Sequence, residues 1–175
     1  TKGVNHSYIA EKAKFFFGSM SENEKPFQIA IGSTGEPTIH PEFCKFLETI
    51  YNLGIVPNYT TNGISLAKYD GNAEEILMAT SKYVGGVAVS ANTWNPEINS
   101  AWRSAVVLLH KFGNTNINIH YIISDRKSVD DFIAIYNQYK DIVLYFVLLP
   151  LMPSGRSVEK YSQEAFDYLL EQDID

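Results

Sequence analysis

Five apolar segments rich in β-branched and aromatic residues recur along this 175-residue chain, at 27–33, 55–61, 84–91, 117–124 and 142–151. Helix-length amphipathic stretches lie between them. The segments start about 30 residues apart, which is the length of one strand-plus-helix repeat. Such alternation predicts a parallel sheet with right-handed crossovers and outer helices, either an open doubly wound sheet or an arc of a barrel. Periodicity alone permits both.

The helical stretches carry their own boundary signals. Residues 41–53 place Phe43, Phe46, Leu47, Ile50 and Leu53 on one face, with Pro41 expected in the first turn and Gly54 beyond the end. Residues 73–83, 97–112, 128–139 and 162–170 read the same way, and Gly113 closes the second of these four. Ser128 with Asp131, just before Phe132 and Ile133, predicts a capped N-terminus. A further helix is expected at 6–17, with no strand before it in the sequence.

Composition narrows the function classes. With 45% hydrophobic residues and no low-complexity stretch, the chain is expected to bury one core as a single domain over 1–175. Fourteen basic residues against twenty acidic ones, without a Lys/Arg cluster, argue against nucleic-acid binding. No apolar run approaches the roughly 20 residues of a membrane span, and the first residues have no signal-peptide profile, so a cytoplasmic protein without a membrane partner is expected. Cys44 is the single cysteine, which excludes an internal disulfide and a thiolate cluster made within this chain; inside a helical pattern it reads as a small packing residue. His6, His40, His110 and His120 have no short ligand spacing, so no zinc site is expected.

In parallel α/β folds, functional groups gather at the carboxyl ends of strands. After the first strand come Ser33, Thr34, Gly35 and Glu36, where a glycine allows close backbone approach and a carboxylate can accept charge-assisted hydrogen bonds from an ammonium group. The competing reading is a helix-capping turn with Glu36 solvated. After the second strand, Thr61 and Asn62 precede Gly63, a pair that is either a plain turn or a polar rim. After the third, Ser90 and Asn92 share one side of the strand by its period of two. Within the fourth, Asn118, His120 and Ile122 share a face, so His120 is either a core histidine or a cavity-lining group. Trp94 and Trp102 read as packing residues, and Arg103 as a solvated helix-face residue. A hydrolase or isomerase with Glu36 as general base finds no Gly-x-Ser-x-Gly, Walker or Gly-x-Gly-x-x-Gly motif in its support.

The run Gly35-Glu36-Pro37-Thr38-Ile39-His40-Pro41-Glu42 resembles the motif that ends the second barrel strand of radical S-adenosylmethionine (SAM) enzymes, with Thr34 where that family commonly has Gly. Thr61-Asn62-Gly63, and the exit from Leu148 to Arg156 with its Pro-x-Gly-Arg turn, are similar to the same family, over about residues 27–156. The resemblance implies a partial (β/α) barrel lacking its first strand and the cysteine loop that follows it. It further implies that Thr34, Gly35, Glu36, Thr61, Asn62, Ser90, Asn92, His120 and Leu149 hold SAM, with Leu149 beside the adenine. Reductive SAM cleavage through a 4Fe-4S cluster, with a flavodoxin- or ferredoxin-type reductant, would belong to an intact parent enzyme. One cysteine cannot hold that cluster, so the chain alone is expected to be inactive. The alternative is a cluster-free α/β domain that binds a small polar ligand or a partner protein. A missing first strand would also leave a sheet edge open to self-association.

Overall fold

The computed structural model describes residues 6–32, 35–91, 96–151, 163–172 and 174, without the side chains of 6–8 and 96–98. In chain order it runs through α1 (His6–Gly18), β1 (Gln28–Ile31), a 3-10 turn (Pro37–Ile39), α2 (Phe43–Asn52), β2 (Val56–Thr61), α3 (Ile64–Ala67) and α4 (Gly71–Tyr83). It continues with β3 (Gly86–Ser90), α5 (Pro96–Lys111), β4 (Ile117–Ile123), α6 (Arg126–Tyr139), β5 (Tyr145–Pro150) and α7 (Gln163–Leu170). All five expected strands form, each in parallel pairing with the next.

The sheet order is β1-β2-β3-β4-β5 and never reverses. Crossovers of one hand along an unreversed order place every helix on the same side, whereas a doubly wound sheet reverses direction and covers both faces. Burial agrees with one-sided cover: Tyr59, Thr61, Val87, Val89, Ile117, Ile119, Tyr121 and Ile123 are buried on the helix side. The alternate residues, from Gln28 and Ala30 across to Val147 and Leu149, are more exposed on the inner side. The fold is therefore the barrel arc, with β1 and β5 at its edges.

Between sheet and helices lies one large core. Trp102, Ala105, Val106 and Leu109 from α5 and Val129, Phe132 and Ile135 from α6 meet the strand residues there, and Trp102 is fully buried. Tyr59 packs edge-on against Phe43 of α2, and its hydroxyl shares a 2.8 Å hydrogen bond with the Thr80 hydroxyl of α4. Burial pushes the Tyr59 phenol well above its ordinary pKa, so it stays neutral. A smaller cluster of Ala13, Ile50 and Ile55 anchors α1 to α2.

Three local expectations are corrected. The cap of α6 is Asp125: its carboxylate accepts from the Ser128 N–H, and the Ser128 hydroxyl accepts from the Asp125 N–H, so Ser128 is the third residue of the box. Pro41 lies before α2, which starts at Phe43 with Glu42 as cap; Gly54 does follow its end in the left-handed region, at φ +77°. Arg103 is not a free surface residue. Its guanidinium lies 4.5 Å from the Trp102 ring and donates to Asn99 Oδ1 and, from Nη1, to Gln138 Oε1 at 2.7 Å, tying α5 to α6.

Candidate functional site

The carboxyl end of the sheet begins at Gly32, whose φ of +147° favours glycine at the point where β1 gives way to its loop. Ser33 and Thr34 lie outside the described residues. At Glu36 the chain is extended, with φ −91° and ψ 110°, and caps the 3-10 turn. Its carboxylate accepts four hydrogen bonds. Three reach Oε1, from the Thr38 N–H (3.2 Å), the Thr38 hydroxyl (2.5 Å) and the Thr61 hydroxyl (2.8 Å). The fourth, from the Asn62 N–H, reaches Oε2 at 2.7 Å.

The bonds from Thr61 and Asn62 join segments 25 and 26 residues apart. Thr38 and Thr61 are each 1% exposed, so the carboxylate satisfies hydroxyls that water does not reach. A carboxylate has about four acceptor positions; Oε1 is crowded and Oε2 keeps room for one more donor. Glu36 is thus a staple between two strand ends with one open lone pair.

The β2 end is shaped with equal economy. The Thr61 hydroxyl accepts from the Gly63 N–H, and Asn62 Oδ1 accepts from the Ile64 N–H, which starts α3. Gly63 has φ +80° and sits against α5 so closely that a Cβ there would lie 2.9 Å from both the Ala105 Cβ and the Trp102 Cα. Only glycine fits.

Gly35, Glu36, Thr61, Asn62 and Ser90 line a cavity of about 390 Å³ together with Gly32 and Thr60. Five of the expected residues meet here although they come from three strand ends. Among the described residues lining the cavity Glu36 is the one that is charged, which favours a ligand with a cationic or N–H-rich end. Thr34 and Asn92 lie outside the described residues, as do Trp94 and the Pro-x-Gly-Arg turn.

His120 and Leu149 sit apart from this group, on the inner face of the sheet. Ser90 pairs with His120 in register, and His120 with Val147. His120 is half-buried and its pKa is lowered by that burial, so it is neutral at pH 7. Leu149, 41% exposed, joins Ile122 and Val147 in an apolar strip toward β5. A second cavity of about 380 Å³ opens on the same face, lined by Gln28, Asn58, Asn116, Asn118 and His120 with Thr60 between the two cavities. The amides were not foreseen as site residues. Their signal was the alternation of Asn116, Asn118 and His120 at the entry to β4 and along it.

Among the described residues no cluster of His, Cys, Asp and Glu is arranged to hold a metal ion. Burial pushes the Cys44 thiol up to about 11, as for a packing residue rather than a ligand. No described helix is long and apolar enough to cross a membrane.

The sequence matches no family model and no curated protein. Among solved structures, the fold is similar to Streptococcus suis SuiB and to Streptococcus suis SuiB bound to S-adenosylmethionine, each with TM-score 0.55 and 18% identity. Each likeness covers 82% of this chain and 34% of that one, so the chain spans about a third of their length. At that identity what is shared is the fold, an α/β arc of parallel strands with outer helices.

Proposed function

We propose that the chain is part of the core of a SAM-using enzyme of the radical SAM type, and that the cavity at the strand ends receives the methionine end of SAM. One observation carries this reading: the Gly35-Glu36 loop, the β2 turn and Ser90 converge on a single polar cavity in a fold shared with a structure that binds SAM. The ammonium group of SAM would take the open lone pair of Glu36 Oε2, and the Ser90 hydroxyl would serve the methionine carboxylate. Leu149 and the apolar strip beside it offer a wall for the adenine.

A 4Fe-4S cluster does not fit the residues present. Its ligands are thiolates, and this sequence offers only Cys44, within α2. Reductive cleavage of SAM, and the reductant it needs, therefore belong to the proposal only for a longer chain with cysteines outside these 175 residues. The fourfold use of Glu36 inside the protein favours a second reading, a cluster-free domain that binds a small polar ligand.

Calorimetric titration of SAM into the 175-residue chain tests the first reading. Saturable binding at roughly 1 mM or tighter, weakened several-fold by Ser90→Val, is the expected result. Absence of saturation, or equal binding by the variant, would overturn the assignment of the cavity.

A further inference from the structure

Among the described residues no strand pairs with β1 on the side away from β2, so β1 is an edge of the sheet. Phe27 extends its pattern by one residue, because the Phe27 carbonyl accepts from the Val56 N–H of β2 at 3.0 Å. That bond sets the phase of the ladder. In a strand both backbone groups of one residue point to the same neighbour, and those of the next residue point the other way. Phe27, Ile29 and Ile31 therefore direct their N–H and C=O groups to β2, and Gln28 and Ala30 direct theirs to the open edge. Both of these residues are exposed.

Edge strands are ordinarily blunted by a charge, a proline or a bulge. Phe27-Gln28-Ile29-Ala30-Ile31 contains no charged residue and no proline, and its pairing with β2 runs without a bulge. Gln28 and Ala30 face inward, where they line the second cavity, so Phe27, Ile29 and Ile31 share the helix side. Phe27 is 80% exposed there. Phe17 of α1 and Ile29 both pack against the cluster of Ala13, Ile50 and Ile55, and the exposed Phe16 meets Phe17 edge-on at 5.2 Å. An apolar ridge thus accompanies a backbone edge that has donors and acceptors to give.

The segment is its own complement. Laid antiparallel against a second copy about a two-fold axis at Ile29, Phe27 falls opposite Ile31 of the second copy, and Ile29 falls opposite its own counterpart. These apolar pairs all stay on the helix side, whereas a slip of one residue would set Ile29 against an inward-facing Gln28 or Ala30. In the same register Gln28 of each copy lies opposite Ala30 of the other, so the residues with edge-facing backbone groups are those that exchange hydrogen bonds. No charges are brought together. The rings of Phe16 and Phe27 from two copies, at about 150–250 Å² each, bring the contact near the roughly 1,000 Å² of a weak specific interface.

We propose that β1 is a homodimerisation edge, at which two copies of this chain join their sheets antiparallel through residues 27–31 about a two-fold axis at Ile29. The interface is separate from the strand-end cavity and stands whether or not that cavity binds SAM.

Sedimentation velocity of the 175-residue chain from about 5 to about 500 μM tests it, with an expected dimer Kd of roughly 10–100 μM. Ala30→Pro removes an edge-facing N–H without touching the β1–β2 ladder, and Phe27→Lys sets a charge against Ile31 of the second copy; each should weaken the dimer at least about tenfold. The register is read by cross-linking in a Cys44→Ala background. With oxidised glutathione as oxidant, Ile29→Cys should form a disulfide with its own counterpart and give a covalent dimer, while Ala30→Cys, whose counterparts lie diagonally, should not. A chain that stays monomeric throughout overturns the proposal, as does a dimer unchanged in both Ala30→Pro and Phe27→Lys once circular dichroism shows them folded. Cross-linking by Ala30→Cys in place of Ile29→Cys, or by neither, overturns the axis at Ile29.

Discussion

The two polar regions of this molecule differ in how far they are satisfied from within. At the strand ends, Glu36 accepts four hydrogen bonds and Thr61 both donates and accepts. On the inner face, the amide row passes hydrogen bonds along until Asn118 Oδ1 is left with none. The first arrangement stabilises the fold and has little capacity left for a ligand. The second adds little to stability. Polar residues of similar type thus differ in how much they hold the fold together, and the difference lies in their partners.

The largest effect expected from this contrast is at Glu36. Glu36→Ala strands two buried hydroxyls and two N–H groups, so urea unfolding should show a loss of about 3 kcal/mol. A loss below about 1 kcal/mol would mean that the staple contributes little and that Glu36 is held for a ligand. Gly63→Ala comes next, at about 2 kcal/mol, because the added methyl meets Ala105 and the α5 backbone at 2.9 Å while φ is +80°.

On the inner face the effect should be much smaller. Asn118→Leu removes an unpartnered acceptor but also the hydrogen bond that Asn118 Nδ2 donates to Asn116 Oδ1, and is expected to leave stability within about 1 kcal/mol of the parent. A loss as large as that of Glu36→Ala would erase the distinction between the two regions. The smallest effect concerns pH. His120 is held below its ordinary value of 6.5 by burial, so the unfolded chain takes up the proton first as pH falls. Its contribution is complete well above pH 6.5 and diminishes as pH falls through and below that value. Comparing wild type with His120→Asn at about pH 7.5 and about pH 5.5 isolates it, since the other groups titrate in both. A wild type that loses no more stability than the variant would show that His120 is not desolvated.

Much of the architecture was legible in advance because strands and helices announce themselves locally. The five strands formed where β-branched and aromatic residues clustered, and Gly54 and Gly113 do mark helix ends at positive φ. What was misread depended on partners. Ser128 looked like a cap because it precedes an apolar pair, but Asp125 three residues earlier supplies the stronger acceptor. Arg103 looked solvated because a helix face is judged from one helix, and its aromatic and amide partners include residues of α6. α3, four residues long, is too short for a hydrophobic period to reveal.

The site divides in the same way. The polar residues at the strand ends were readable, since parallel α/β folds collect them there, and five of those named share one cavity. The use made of Glu36 was not readable, because its partners Thr61 and Asn62 lie 25 and 26 residues away and a carboxylate's role is set by the donors around it. The sequence by itself determined the number, order and approximate placement of the strands, for these follow from periodicity and side-chain shape, while the strands themselves are shorter than the apolar segments that announce them. Only the tertiary structure decided that the strand order never reverses, that one face of the sheet keeps exposed side chains, and that amides from distant strands meet there with one acceptor left over among the described residues, because hydrogen-bond partners are settled by proximity across the sheet rather than along the chain.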